Sequence, residues 1–259
     1  MQDAKENEIY VTAEYLKKRA HDEDVVNQES YRMLHIAAGN WVLELGCGPG
    51  TASPVFSEAA GIDGLVVGLD CDSKMIKQAK TTTKYCINSL QLVGDTHRLP
   101  FEDAMFDRVY AKRLLQVLPP SSASNVFSEI LRILKPGGAL VLVDTDWTSV
   151  AVNFSDLELE RRLIAFFRDH MRPNGLAGRQ LLGLTQQSMF TDVDVKVMPI
   201  VIRDFAETPF SDWLITEALK AKVATQQEIE KWRSELEQKT ASEAFLFYVG
   251  TVLVSAKKK

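Results

Sequence analysis

Trp41-Val42-Leu43-Glu44-Leu45-Gly46-Cys47-Gly48-Pro49-Gly50-Thr51 sets the frame for the chain. Its first five residues are short, nearly all apolar and stopped by glycine, the pattern of a buried parallel strand. The glycines at 46, 48 and 50 let the backbone turn sharply and approach a ligand closely before a helix opens. The spacing is Gly-x-Gly-x-Gly. A dinucleotide fingerprint asks for glycine or alanine where Thr51 stands, and no acid at the strand end, where Glu44 stands. On its own the loop is also compatible with a tight turn that binds nothing.

Strand and helix alternate beyond this run. Leu65–Leu69, Leu90–Val93, Phe106–Tyr110 and Ala139–Val143 read as further strands. Ser73–Thr83 reads as a helix opened by Asp72-Ser73, and Ser121–Leu134 as one ended by Pro136-Gly137-Gly138. This order gives a parallel sheet with helices on both faces, and ligands then bind outside the carboxyl ends of the strands. Before the run, residues 10–38 read as helix, with Tyr31, Leu34, His35 and Ala38 on one face and Gly39-Asn40 as the stop. After it, Ser155–Met171, Gly178–Gln187 and Thr208–Gln238 read as helices, Val193–Met198 and Phe245–Val254 as strands. Segment 204–243 interrupts two strands and reads as a helical cap insertion within a single domain spanning 1–259.

Three strand ends carry acids: Glu44, Asp70 in Gly68-Leu69-Asp70, and Asp95 in Gly94-Asp95-Thr96. A carboxylate after the second strand can accept two hydrogen bonds from a ribose diol. One after the third can accept from an exocyclic adenine amine, with Met75 and Leu99 placed to sandwich a purine.

Composition bounds the rest. The 259 residues are 46% hydrophobic and 25% charged, an ordinary soluble globular mix that excludes a disordered chain, a fibre or a disulfide scaffold. Thirty Lys and Arg against 35 Asp and Glu give a net charge of -5, so no nucleic-acid partner is expected. Lys257-Lys258-Lys259 reads as a frayed, solvated tail. Cys47, Cys71 and Cys86 have no zinc-knuckle spacing, and their odd count argues against a disulfide framework. With a polar start, no signal region and no apolar run of roughly 20 residues, a cytoplasmic protein without a membrane span is expected.

Leu43–Gly50, Gly68–Asp70, Gly94-Asp95-Thr96-His97-Arg98-Leu99-Pro100-Phe101, Phe106–Val109 and Leu131–Gly138 together resemble the class I S-adenosylmethionine-dependent methyltransferases. The small-molecule branch that includes ubiquinone and menaquinone methyltransferases is the most similar. The likeness covers roughly residues 30–150, with 40–150 as the cofactor-binding core. It implies a Rossmann-like seven-stranded sheet with the last strand antiparallel. It also implies S-adenosylmethionine as cofactor and a small-molecule methyl acceptor as partner. By position, Gly46, Cys47, Gly48 and Gly50 would lie under the methionine moiety, and Glu44 would meet its ammonium. Asp70 would hold the ribose, Cys71 and Met75 would flank the adenine, and Asp95 would take its amine with Thr96 alongside. Arg113 would lie near the sulfonium. The helical lid at 10–38 would close over the cofactor, with Tyr15, Arg19 and Arg32 as candidates for its carboxylate.

The chain also departs from its relatives. They often read Leu-Gln-His-Leu after the fourth strand, whereas Leu115-Gln116-Val117-Leu118 lacks the histidine. The Asn-Pro-Pro-Tyr motif, the paired glutamates of arginine methyltransferases and the acidic ligand of catechol-type enzymes are also missing, so no metal is expected. Asp144-Thr145-Asp146-Trp147 closes the fifth strand. An indole face can hold a cation and a carboxylate can orient or deprotonate an acceptor, which makes Asp146 and Trp147 the catalytic candidates. A core aromatic and a helix cap are the other readings of that pair. Phe154, Arg179 and Trp213, with Phe166, are candidates to line the acceptor pocket. A binding protein without turnover, a protein methyltransferase and a nicotinamide oxidoreductase remain as alternatives.

Overall fold

The computed structural model describes residues 23–170, 172–210 and 212–259. The first half runs α1 (Asp24–Leu34), β1 (Trp41–Leu45), α2 (Ser53–Ala60), β2 (Leu65–Asp70), α3 (Ser73–Thr82), β3 (Ser89–Val93) and β4 (Phe106–Lys112). It continues with α4 (Ala123–Ile133), β5 (Leu134–Val152), α5 (Leu157–His170), α6 (Ala177–Gln187) and β6 (Phe190–Ile202). Two more helices, α7 (Asp212–Lys220) and α8 (Gln226–Ala241), precede the last strand β7 (Phe247–Lys258).

The seven strands form one sheet in the order β3-β2-β1-β4-β5-β7-β6. The first five pair in parallel, and β7 runs antiparallel to both β5 and β6. Helices cover both faces, so Val42, Leu43 and Leu45 of β1 are all fully buried and the strand shows no alternation. Leu45 pairs with Leu69 on one side and Ala111 on the other, which brings the carboxyl ends of β1, β2 and β4 level. On α4 the positions Val126, Phe127, Ile130 and Ile133 follow the helical period and are buried on the sheet. At the start of α3 the Asp72 carboxylate accepts the Lys74 N–H at 2.7 Å, the cap expected there.

Several boundaries differ from expectation. The fifth strand extends far beyond the apolar run 139–143, because β7 lies beside it and supplies ladder partners from Ala139 to Asp146 and again at Ala151 and Val152. Segment 208–238 is two helices, not one. Lys222 takes a left-handed φ of 56°, and Thr225 opens α8 with a reciprocal capping box to Glu228. The N-terminal helix ends at Leu34, where His35 (φ 49°) is an exposed left-handed cap rather than a packing residue. Tyr15, Arg19 and the first part of the 10–38 lid lie outside the described residues. The lysine tail is part of β7: Lys257 pairs with Asp192, and Lys258 donates to the Leu131 and Leu134 carbonyls.

The inserted helices share the sheet's own core. Leu214, Ile229, Trp232 and Leu236 belong to one apolar cluster with Val150, Phe167 and Phe247.

Candidate active site

The glycine loop hangs from β2. The Gly46 and Cys47 N–H groups both donate to the Leu69 carbonyl, at 2.8 and 3.1 Å. At Gly50, φ is 73° and an added Cβ would stand 3.0 Å from Ala79 Cβ, so neither the turn nor the α3 contact admits a side chain. Gly48 is also left-handed, at φ 52°, and its N–H donates to Asp70 Oδ2 at 2.8 Å. The other Asp70 oxygen accepts the Asp72 N–H at 2.9 Å. An ionised carboxylate has about four lone-pair sites, and with the Cys71 N–H also directed at it the group keeps acceptor capacity for a ligand. Burial raises the Asp70 pKa, against the pull of these backbone donors.

Glu44 lies beneath the loop, 5% exposed. Its Oε2 accepts from the Ser53 hydroxyl at 2.6 Å, and burial pushes its pKa up to about 7. A ligand ammonium above it would reverse that shift. Gln91 closes the floor. Its amide lies 3.4 Å from the Ser53 hydroxyl and 3.7 Å from the buried Cys47 thiol, whose pKa burial also raises. Ser53 and Gln91 were not legible as site residues, because Ser53 acts through Glu44, nine positions back, and Gln91 through Ser53, 38 positions away. At the end of β3, Asp95 Oδ1 accepts from the His97 backbone N–H at 2.9 Å and meets the His97 ring at 2.7 Å. Those bonds hold the Asp95 pKa below its usual range and leave Oδ2 as the outward acceptor. Cys71 is exposed, Met75 half-buried, and Thr96 and Leu99 are buried.

The edge of β4 and β5 is built differently. Arg113 takes φ 58°, donates its N–H to the Val143 carbonyl at 2.7 Å, and sets its guanidinium 3.5 Å from Glu23. Lys112 bonds the same Glu23 carboxylate and Asn27, which ties the start of α1 to the end of β4. Asp144 is 2% exposed and accepts the Leu115 N–H at 2.9 Å; burial pushes its pKa up to about 7. Asp146 accepts from the Arg179 guanidinium at 3.0 and 2.8 Å and from the Thr148 hydroxyl at 2.7 Å. Trp147 is 7% exposed, edge-on to Phe167, with its indole N–H on Gln116 Oε1 at 2.7 Å.

Among the other candidates, Phe154 is buried in the large apolar cluster and Phe166 stacks on His170. Arg32 is exposed and pairs with Glu29 on its own helix. The Trp213 side chain lies outside what the structure describes. A cavity of about 410 Å³ lies between the outer part of β5 and α5, walled by Thr148, Val150, Leu157, Glu160, Ile164 and Arg168. It does not include the glycine loop; Thr148, bonded to Asp146, is its link to the strand ends. Among the described residues no group of three or more His, Cys, Asp or Glu could hold a metal, and no helix is long and apolar enough to cross a membrane.

Residues 42–138 match the family described as a methyltransferase domain. The chain is 36% identical over 172 residues to an uncharacterized 37.1 kDa protein in transposon TN4556 of Streptomyces fradiae, a match covering 66% of this chain and 49% of that protein. It is 35% identical over 120 residues to demethylmenaquinone methyltransferase of Staphylococcus haemolyticus, covering 46% of this chain and 49% of the enzyme. The solved BH2331 protein of Bacillus halodurans shares the fold, with a TM-score of 0.63 at 18% identity over 90% of this chain and 98% of that one. The chain spans about half the length of the curated relatives it matches.

Proposed function

We propose that this chain moves a methyl group from S-adenosylmethionine to a small-molecule acceptor. The observation that carries the reading is the set Glu44, Asp70 and Asp95, one at the end of each of β1, β2 and β3, each keeping acceptor capacity after its protein partners are counted. Asp70 would hold the ribose diol, Asp95 the adenine amine, and Glu44 the methionine ammonium. Met75 and Leu99 would flank the ring, and Gly46–Gly50 would leave room for the chain between them. When bound, the cofactor supplies an electrophilic methyl on a sulfonium. The protein's own work is then to position the acceptor and exclude water.

The acceptor side is assigned to the β4–β5 edge, with the helices of 204–243 as its cap. Asp146 is held by Arg179 and Thr148, an arrangement suited to orienting a group rather than abstracting a proton. The likeness to demethylmenaquinone methyltransferase supports an acceptor of small-molecule size, and the net charge of -5 supports no nucleic-acid partner. A cytoplasmic setting goes with this reading. The paired state of Asp146 also favours a second one, a cofactor-binding protein without turnover. Radiolabelled methyl transfer across a metabolite panel separates the two: labelled product supports the enzyme, and tight cofactor binding with no product across the panel supports the binder.

A further inference from the structure

In the turn after β4, Gln116 is 5% exposed and three of its four polar groups are engaged. Its backbone N–H donates to the buried Asp144 carboxylate. Its backbone carbonyl accepts the Asn174 N–H at 3.1 Å. Its side-chain Oε1 accepts the Trp147 indole N–H at 2.7 Å. The side-chain NH2 donates to nothing among the described residues. Nearby, Asp144 Oδ1 is fully enclosed without a partner.

The indole fixes which end of the amide faces out. An indole N–H can only donate, so it requires the amide oxygen and turns the NH2 away. The flipped amide would set two donors against each other and leave both unpaired in a buried site. Trp147 is itself held, by its backbone N–H on the Gly175 carbonyl at 3.1 Å and by the ring of Phe167 at 4.9 Å. The result is a pre-aimed pair of N–H donors between the carboxyl ends of β4 and β5.

We propose that the Gln116 side-chain NH2 holds the methyl acceptor by donating to an oxygen on it, with Trp147 as a positioning residue that acts through Gln116. The proposal rests on the methyl-transfer reading above and narrows its substrate class. The acceptor carries a hydroxyl, carbonyl or carboxylate oxygen next to the atom that takes the methyl. A site built to donate to an oxygen rejects an analogue that lacks it, because its own donor is then left unpaired.

Gln116→Glu is the informative variant. It keeps an oxygen for the Trp147 indole and replaces the unpaired donor with a carboxyl near Asp144, so the melting temperature reads the cost of the added acid while KM reads the lost donor. The experiment follows turnover of the full chain with S-adenosylmethionine and two probe sets. Catechol, naphthalene-1,4-diol and 4-hydroxybenzoate carry oxygen; thiophenol, aniline and indole do not. Affinity for S-adenosylhomocysteine and the melting temperature are measured alongside. The expected result is turnover confined to the oxygen-bearing set. In Gln116→Glu, KM rises about tenfold or more while kcat stays within about threefold, the mark of a lost binding contact. Cofactor affinity stays unchanged. Trp147→Phe, which frees the amide to rotate, raises KM about two- to fivefold alone and adds nothing to Gln116→Glu. If Gln116→Glu melts early, the same KM split in Trp147→Phe decides.

Equal turnover of the oxygen-free probes, or an unchanged KM in Gln116→Glu, overturns the proposal and leaves methyl transfer standing. Cofactor binding with no turnover of any probe overturns both.

Discussion

The two halves of the carboxyl edge contrast in how their polar groups are used. At the ends of β1, β2 and β3, Glu44, Asp70 and Asp95 bond backbone or neighbouring side chains and still keep oxygens for a ligand. At the end of β5, Asp146 is taken up by Arg179 and Thr148, and the Trp147 indole N–H by Gln116. The first half is a preformed cradle; the second is a braced wall with one outward donor. The proposed cofactor site is built from residues near in sequence to each strand end, whereas the proposed acceptor side draws on β5, α6 and the turn after β4.

The largest effect is expected where the inserted helices meet the core. Trp232 is 1% exposed and packs edge-on against Phe205. Trp232→Ala should cost about 3–5 kcal/mol of stability by denaturant unfolding, as large core truncations do. A loss below about 1 kcal/mol would show a cap that is separable from the sheet.

Glu44 supplies a proton-linked test of the cradle. Its folded-state pKa of about 7 lies above the ordinary carboxyl value. Its contribution to the free chain's stability is therefore full below about pH 4.5 and is lost as pH rises through about 7. A cofactor ammonium draws that pKa back down, so binding near pH 6 releases a proton. Affinity then rises with pH between about 5 and 7, by at most about tenfold per unit. Calorimetry in buffers of different ionisation enthalpy should show the release, and Glu44→Gln should abolish it. Equal proton release in that variant would place the ammonium elsewhere.

On the braced side, Arg179 is half exposed, so Arg179→Ala should cost about 1 kcal/mol of stability or less and leave cofactor affinity unchanged. A fall in cofactor affinity would merge the two halves into one site. The smallest effect belongs to Trp213→Ala. Cofactor affinity should stay within about 0.5 kcal/mol while the acceptor KM rises, and a parallel loss of both would remove the cap's role at the acceptor.

How far the sequence led follows the same divide. The parallel part of the sheet and the acids at its strand ends were legible because apolar runs, glycines and acids lie close together along the chain, whereas the antiparallel last strand came with the family resemblance. The length of β5 was not, since its outer half is held by β7 a hundred residues on. The break between α7 and α8 rests on a left-handed residue, Lys222, that carries no glycine signal. Gln116 stood in a quoted run without a role, because its meaning depends on Trp147, 31 positions away.

The central claim is that the ends of β1, β2 and β3 hold S-adenosylmethionine. Calorimetric titration of S-adenosylhomocysteine into the full chain and into Asp70→Ala tests it most directly. The account predicts one site per chain and an affinity loss of about 2 kcal/mol or more in the variant, where charge-assisted bonds to the ribose diol are gone. No binding to the unaltered chain, or equal affinity in Asp70→Ala, would contradict it.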